Sequence, residues 1–347
     1  MARIGKILKI LVSYWSLPAG LLIGAILMLT LISVFPPAQT NIKRVEFILN
    51  KNETAHSAAL RLKEAGIIDN PTKFVLLAKL LNYERKLKKG KYNFTSAMDE
   101  FSALRILRRG EQTNAMVTIP EGKTLEQVAE ILAEHDICSK KEFLTQAQDK
   151  TLMVQMGITG RNAEGYLFPD SYEFEIQSEP KEILMRMVKR FFEIYNSLRT
   201  EQPVINVDDQ GKARTRLADQ DIVILASIVE AEAQLAIERP IIASVFLNRL
   251  KRRLPLQSCA TIEYLLKERK SRLSLQDLNI ESPYNTYLHP DLPPGPICSP
   301  GRNSLSAVLF PAKTDYLFFV SRGDGSHQFS KTGKEHQAAI RRYQSNK

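Results

Sequence analysis

An uncharged apolar stretch near the N-terminus is the feature that most constrains the fold of this chain. No charged residue occurs between Lys9 and Lys43, and residues 11–35 are almost all apolar. A helix of this length can cross a hydrocarbon core about 30 Å thick. Two prolines follow directly, and proline cannot continue a helix. The sequence therefore predicts a transmembrane anchor over residues 11–36.

The charges around this stretch predict its orientation. Arg3, Lys6 and Lys9 lie in a short tail, residues 1–10, and the positive-inside rule keeps such a tail in the cytoplasm. A cleaved signal peptide is the alternative, but its apolar region is usually only about 7–15 residues long. We expect a single-pass anchor with everything after Thr40 outside the cytoplasm.

Charge and composition narrow the class of partner. A formal net charge of +10 favours polyanions, namely nucleic acid, an anionic membrane surface or an acidic cell-wall polymer. Nucleic acid is excluded if the chain lies outside the cytoplasm; the alternative is that the basic faces are merely solvated. The three cysteines and five histidines show no metal-ligand spacing, so no metal or organic cofactor is expected.

Two segments after the anchor resemble one another, which indicates a repeated small unit. Each has a short β-like run, a polar turn and a helix, with Thr54 matching Thr124. Thr124 is a plausible N-cap and Gln127 its capping-box partner. The basic run from Glu84 to Tyr92 between the copies is either a solvated loop or a contact for an anionic polymer. Strands and helices of this kind predict an α+β fold.

An apolar helix is predicted with Asp219 or Asp221 as its N-cap and with two glutamates at its end. Glu230 and Glu232 are two residues apart, so they point to different sides of the helix. Glu232 follows the bulkier apolar stripe and is expected to be partly desolvated, as a general acid requires. The alternative interpretation is an ordinary surface or ion-paired glutamate near a helix end.

Loops rich in turn residues, amides and tyrosines follow this helix. They comprise residues 254–264 and 282–301, and the second contains six prolines. Rigid turns fix the shape of a loop at little entropic cost. Amides and aromatic rings suit a sugar, because they meet its hydroxyls and its apolar face respectively. The candidates are Gln257, Asn285, Tyr284 and Tyr287, although any one of them could instead be structural.

An ordered set of sequence motifs extends from Gly165 towards the C-terminus. The set comprises GYLFPDSYEF, LASIVEAEA, VFLNRL, LPLQS, SPYNTY, LPPGPICSPG, SLSAVLFPAKTDYLFFV and GDGSHQFSKTGKEH. In this order the motifs resemble the MltG-type (YceG-like) endolytic murein transglycosylases over nearly all of Gly165 to Tyr343. The resemblance adds Ser258 of LPLQS and Asn248 of VFLNRL to the predicted substrate-binding residues.

The resemblance implies a domain map and a location. It implies a LysM-like module over residues 43–114, a second β/α module over 115–160 and a catalytic domain over 161–347. It further implies an inner-membrane protein with a periplasmic catalytic domain. Its partners would be glycan strands of peptidoglycan and, in the family, cell-wall synthases.

The resemblance also implies a mechanism that needs one carboxylate. Glu232, with Glu230 as the alternative, would cut the β-1,4 bond between N-acetylmuramic acid and N-acetylglucosamine and leave 1,6-anhydro ends. Two other functions stay open. One is a muramidase-type hydrolase with Glu230 or Asp291 as a second carboxylate. The other is a non-catalytic scaffold that binds glycan.

Two departures from the family pattern affect the predicted site. The family's L-Q-S-D-P-T is LQSCAT here, so Cys259 and Ala260 replace Asp and Pro, and the usual I-x-N-P-G is ICSPG. One carboxylate is lost and two loop cysteines appear. In an oxidising periplasm Cys259 and Cys298 could form a disulfide, which we state as a hypothesis.

Overall fold

The computed structural model describes residues 43–96, 98–110, 114–201, 217–268, 270 and 273–344. The predicted anchor, residues 11–36, lies outside this part of the chain. Among the helices that are described, none combines the length and the apolar character needed to cross a bilayer.

The described chain consists of short strands and helices in an irregular order. The elements are β1 (Arg44–Leu49), α1 (Ala55–Glu64), α2 (Pro71–Leu80), β2 (Gly90–Thr95), α3 (Glu100–Arg109), β3 (Asn114–Thr118), α4 (Leu125–Glu134), α5 (Lys140–Gln146), α6 (Lys150–Gln155), β4 (Ser171–Glu175), α7 (Pro180–Glu201), α8 (Asp219–Glu232), α9 (Arg239–Lys251), α10 (Cys259–Leu266), α11 (Leu275–Leu278), α12 (Arg302–Leu309), β5 (Phe318–Ser321), β6 (His327–Ser330) and α13 (Gly333–Gln344). The described strands pair as β1–β2, β3–β4 and β5–β6. The predicted α+β class is confirmed.

The chain divides into two compact units. The smaller consists mainly of residues 54–87 and 93–109. Its helices bury one apolar face each, and Leu62, Phe74 and Leu104 are fully buried. Thr54 caps α1 through a hydrogen bond from the amide of Ser57. The LysM-like identity of this region stays a prediction.

The larger unit contains residues 110–347. Here β3 pairs antiparallel with β4, so that Val117 lies opposite Tyr172. The predicted capping box at Thr124 and Gln127 is confirmed at the start of α4. One apolar core runs on both sides of residue 160, where the sequence predicted a boundary. The finer division into modules stays a prediction.

Helix α8 lies at the centre of this unit because three helices surround it. It packs against α9, α10 and α12. Every residue from Ile222 to Glu230 is buried, as the predicted all-round apolar segment requires. The predicted aspartate cap is wrong: Ala218 is the N-cap, and Asp219 instead accepts a hydrogen bond from Tyr195.

Candidate active site

The two glutamates at the end of α8 lie in different environments. Glu230 is buried, with 5% of its side chain exposed, and pairs with Arg239 at 3.0 Å. Its second oxygen accepts the backbone N–H of Gly301 at 2.9 Å. We call Glu230, Arg239 and Gly301 the clasp. It joins the end of α8 to the starts of α9 and α12.

Gly301 of the clasp lies directly against the side chain of Glu121. A Cβ at this position would collide with the side-chain carboxylate of Glu121. Glu121 is also 3.9 Å from Arg239, so two carboxylates share one guanidinium. Burial and the neighbouring charge of Glu230 raise the pKa of Glu121.

Glu232 lies at the last residue of α8 and is only partly buried. Ala233 after it is extended (φ −81°, ψ 121°), so the helix stops and the carboxylate reaches beyond it. Glu232 is partly buried, as expected, but Glu230 is the more deeply buried of the two. The reason is tertiary: Arg239 and Gly301 bury Glu230, and helical spacing alone does not reveal them.

The start of α10 holds the Glu232 carboxylate in place. Ser258 Oγ donates to Glu232 Oε1 at 2.5 Å, and the backbone N–H of Ala260 donates to the same oxygen at 3.3 Å. Ser258 is the N-cap of α10 but makes no side-chain cap hydrogen bond. The Glu232 carboxylate occupies the capping position instead.

Glu232 opens into a cleft of about 380 Å³, within the range of small-ligand sites. We call this the catalytic cleft. Its lining residues are Glu232, Val245, Arg249, Leu256, Gln257, Cys259, Tyr287, Leu317, Phe318, Phe319, Val320, Ser321, His327, His336 and Ile340. Among these lining residues, Glu232 supplies the carboxylate. Of the predicted substrate-binding residues, Gln257 and Tyr287 lie here.

Gln257 and Cys259 shape the wall next to Glu232. Gln257 has a positive φ of 51° and its Oε1 accepts a hydrogen bond from Arg249 at 2.5 Å. Cys259 Sγ lies 3.1 Å from the hydroxyl of Tyr287. Desolvation by the cleft walls raises the pKa of the Cys259 thiol, and the negative charge of Glu232 raises it further. Burial, with Cys259 next to it, also raises the pKa of Tyr287.

Three predicted substrate-binding residues have structural contacts instead. Asn285 is fully buried, and its amide group bonds to the carbonyls of Leu278 and Ile280 and to the N–H of Tyr287. The amide of Asn248 donates to the carbonyls of Thr314 and Tyr316, in the segment before β5. Tyr284 packs against Tyr264 with ring centroids 5.2 Å apart and is not among the residues lining the cleft. These amides and rings hold the loops rather than face the cleft.

The predicted disulfide between Cys259 and Cys298 is not formed. Cys298 is buried and its thiol donates to the carbonyl of Ser227 on α8. Cys259 faces the catalytic cleft next to Tyr287. The two cysteines therefore belong to different surroundings.

Three further residues with unusual surroundings were not predicted from the sequence. Arg249 is buried and donates to the carbonyls of Pro255 and Leu317 as well as to Gln257. His327 is buried in β6. Glu164 is buried and burial raises its pKa to about 8. Arg249 belongs to VFLNRL and His327 to GDGSHQFSKTGKEH, while Glu164 directly precedes GYLFPDSYEF, but no spacing in these motifs marks the three residues.

Comparison with known proteins now identifies the family. The model of the YceG-like family matches residues 47–342. This chain belongs to the YceG-like family. An endolytic murein transglycosylase of Bacillus subtilis (strain 168) is 33% identical over 274 residues, covering 74% of this chain and 73% of the relative.

Two further relatives agree with this assignment. An endolytic murein transglycosylase of Streptococcus pneumoniae (serotype 2, strain D39 / NCTC 7466) is 28% identical over 89% of this chain, which spans 60% of that protein. The crystal structure of a yceG-like protein from Listeria monocytogenes is 29% identical and superposes with a TM-score of 0.55. It covers 86% of this chain and 100% of its own.

Proposed function

We propose that this YceG-like protein is an endolytic peptidoglycan lytic transglycosylase in which Glu232 is the general acid and base. The observation that carries the proposal is the position of Glu232, which faces the catalytic cleft while Ser258 fixes its carboxylate at 2.5 Å. The names of the Bacillus and Streptococcus relatives supply the substrate class, murein.

The first step cleaves the glycosidic bond. Protonated Glu232 donates its proton to the oxygen that joins C1 of N-acetylmuramic acid to N-acetylglucosamine, and the C1–O bond breaks. Positive charge develops on the muramyl C1, and Glu232 becomes a carboxylate. The hydroxyl of Ser258 and the N–H of Ala260 stabilise that carboxylate, because both donate to its Oε1.

The second step closes a ring within the same sugar. The C6 hydroxyl of N-acetylmuramic acid attacks C1, and Glu232 takes the hydroxyl proton and returns to its acid form. The product is a 1,6-anhydro end, and no water is consumed. An attacking group within the same sugar needs no second carboxylate to activate it. This agrees with a cleft whose described lining contains one carboxylate residue.

A muramidase is the competing reaction, since it differs only in the attacking group. It would need a second carboxylate to activate water. Of the two residues named for that role, Glu230 is held in the clasp and Asp291 is not among the cleft-lining residues. The geometry therefore favours the intramolecular attack.

The experiment is to incubate the full chain with uncrosslinked glycan strands in H₂¹⁸O and to analyse the products by mass spectrometry. We expect internal cleavage with 1,6-anhydro ends and no ¹⁸O at C1, and no cleavage by Glu232→Gln. Reducing ends that carry ¹⁸O would establish a muramidase. Strands that bind but stay intact would establish a scaffold.

The cellular setting is part of the same proposal. A single-pass anchor over residues 11–36 would hold the catalytic unit at the periplasmic face of the inner membrane. A LysM-like module over residues 43–114 would bind glycan beside it, and cell-wall synthases would supply the nascent strands.

A further inference from the structure

The catalytic cleft contains a histidine that the two-step mechanism does not use. His327 lies at the start of β6 and lines the same cleft as Glu232. Its side chain is 8% exposed. The imidazole packs edge-on against Phe319, with centroids 5.3 Å apart and an interplanar angle of 88°. The ring is therefore fixed in orientation at the wall of the cleft.

A buried carboxylate holds His327 at two points. Glu238 Oε1 accepts the backbone N–H of His327 at 3.0 Å, and Glu238 Oε2 lies 2.7 Å from the imidazole Nδ1. An ionised carboxylate only accepts hydrogen bonds. Nδ1 therefore carries a proton, and in the neutral ring the lone pair is on Nε2.

Both carboxylate oxygens of Glu238 are directed at His327. Glu238 is the N-cap of α9, but its side chain makes no cap hydrogen bond there. Its side chain is 10% exposed and does not line the catalytic cleft. Glu238 is thus placed to act on the cleft only through His327.

A glycan bound in the cleft would need a hydrogen-bond acceptor at this wall. Arg249 has only donors, and the Gln257 carbonyl oxygen is already engaged by Arg249. A glycan presents many hydroxyl and acetamido donors, which lose water when they enter a cleft and then need acceptors. His327 Nε2, if neutral, is an acceptor on a rigid ring.

We infer that His327 is a substrate-contacting residue whose Nε2 accepts a hydrogen bond from a hydroxyl or amide N–H of the bound glycan. Glu238 is a positioning residue that fixes the required tautomer. The identity of the ligand rests on the proposed function. The role of the pair does not depend on whether Glu232 yields an anhydro or a reducing end.

The test measures glycan binding in full-length chains that carry Glu232→Gln, so that no cleavage is needed. Removal of the acceptor by His327→Ala should weaken binding of uncrosslinked glycan strands about tenfold, the effect of losing about one buried hydrogen bond. His327→Gln should recover part of that loss, because its amide oxygen can accept. His135→Ala, which changes an exposed histidine at the C-terminal end of α4, is the matched control and should bind like the parent.

Glu238→Gln tests the hydrogen-bond acceptor of His327 separately from the packing of its ring. The side-chain amide that this substitution introduces can donate to Nδ1, which would move the ring proton to Nε2 and turn the acceptor into a donor. Binding should fall as in His327→Ala although the histidine is still present. Nitrogen-15 NMR of labelled histidine should show Nδ1–H in the parent and Nε2–H in Glu238→Gln.

Thermal unfolding of each variant identifies those that fail to fold. Folded His327→Ala and Glu238→Gln chains that bind glycan like the parent would overturn the inference, as would an Nε2–H tautomer in the parent. A Glu232→Gln parent that binds no glycan would also overturn it. Failure of the proposed function alone would look different. The Glu232→Gln parent would still bind glycan, and His327→Ala and Glu238→Gln would both weaken that binding, but the wild-type chain would cleave no strands.

Discussion

The clasp and the catalytic cleft both use a glutamate from the end of helix α8, but they place it in opposite surroundings. In the clasp, Glu230 is buried against Arg239 and Gly301 and holds three helix ends together. In the catalytic cleft, Glu232 faces open space and accepts hydrogen bonds from Ser258 and Ala260. A carboxylate that must transfer protons cannot also be locked in an ion pair. The contacts, rather than the residue type, distinguish the two roles.

The first prediction concerns the clasp and has the largest expected effect on stability. Glu230→Gln should lower the free energy of unfolding by about 3 kcal/mol, because it leaves the Arg239 charge without its closest partner. Glu121, at 3.9 Å, keeps the loss at the lower end of the range for broken buried pairs. Urea denaturation of the full chain measures it. A change below about 1 kcal/mol would show that the clasp is not a stabilising feature.

Glu164 is also buried, but within the described part of the chain it forms no ion pair of the kind that Glu230 makes with Arg239. Burial raises the pKa of Glu164 from 4.5 to about 8. Between these two pH values the unfolded state releases the proton and the folded state keeps it, so stability falls as pH rises and then levels above pH 8. Glu164→Gln should remove this dependence. Thermal unfolding from pH 5 to pH 9 checks it, and an unchanged slope in the variant would disprove the assignment.

The next prediction concerns the hydroxyl that holds Glu232. Ser258→Ala should lower kcat about tenfold with little change in KM, because one hydrogen bond to the acid is lost while the cleft is kept. Ser258→Thr keeps a hydroxyl and should recover most of the rate. Equal losses in both variants would indicate that Ser258 matters for packing alone.

The smallest expected effect concerns Cys259, where the family usually has aspartate. The negative charge of Glu232 contributes to the raised pKa of this thiol. Glu232→Gln should therefore increase the rate of iodoacetamide alkylation at Cys259 a few-fold near pH 7, because more thiolate is present. Peptide mapping gives the rate at each cysteine, and Cys138, which is buried, serves as the internal control. A slower reaction in the variant would mean that the two groups do not interact.

Local features of the fold could be predicted from the sequence. The capping box at Thr124 and the start of α7 at Pro180 follow from residues within one or two turns. The buried stripe of α7 also agrees with its spacing, with Leu184 and Phe191 both buried. These signals lie within single helices, so no tertiary information is needed.

The site could be predicted only in part. Gln257, Tyr287 and Glu232 lie together as the motifs suggested, but the deeper burial of Glu230 was not predicted. Gly301 is 71 residues from Glu230, and His327 is 89 residues from Glu238. Such pairs form only when distant segments meet, and the periodicity of one helix carries no information about them.

The most direct test of the account compares the two glutamates in one assay. Initial rates of glycan-strand cleavage are measured for Glu230→Gln and Glu232→Gln, each divided by the folded fraction from circular dichroism. The account predicts a loss of at least about 100-fold for Glu232→Gln, which removes the general acid, with an unchanged melting temperature. It predicts that folded Glu230→Gln keeps a rate within about tenfold of the wild-type chain. Full activity in folded Glu232→Gln, with activity abolished in folded Glu230→Gln, would contradict it.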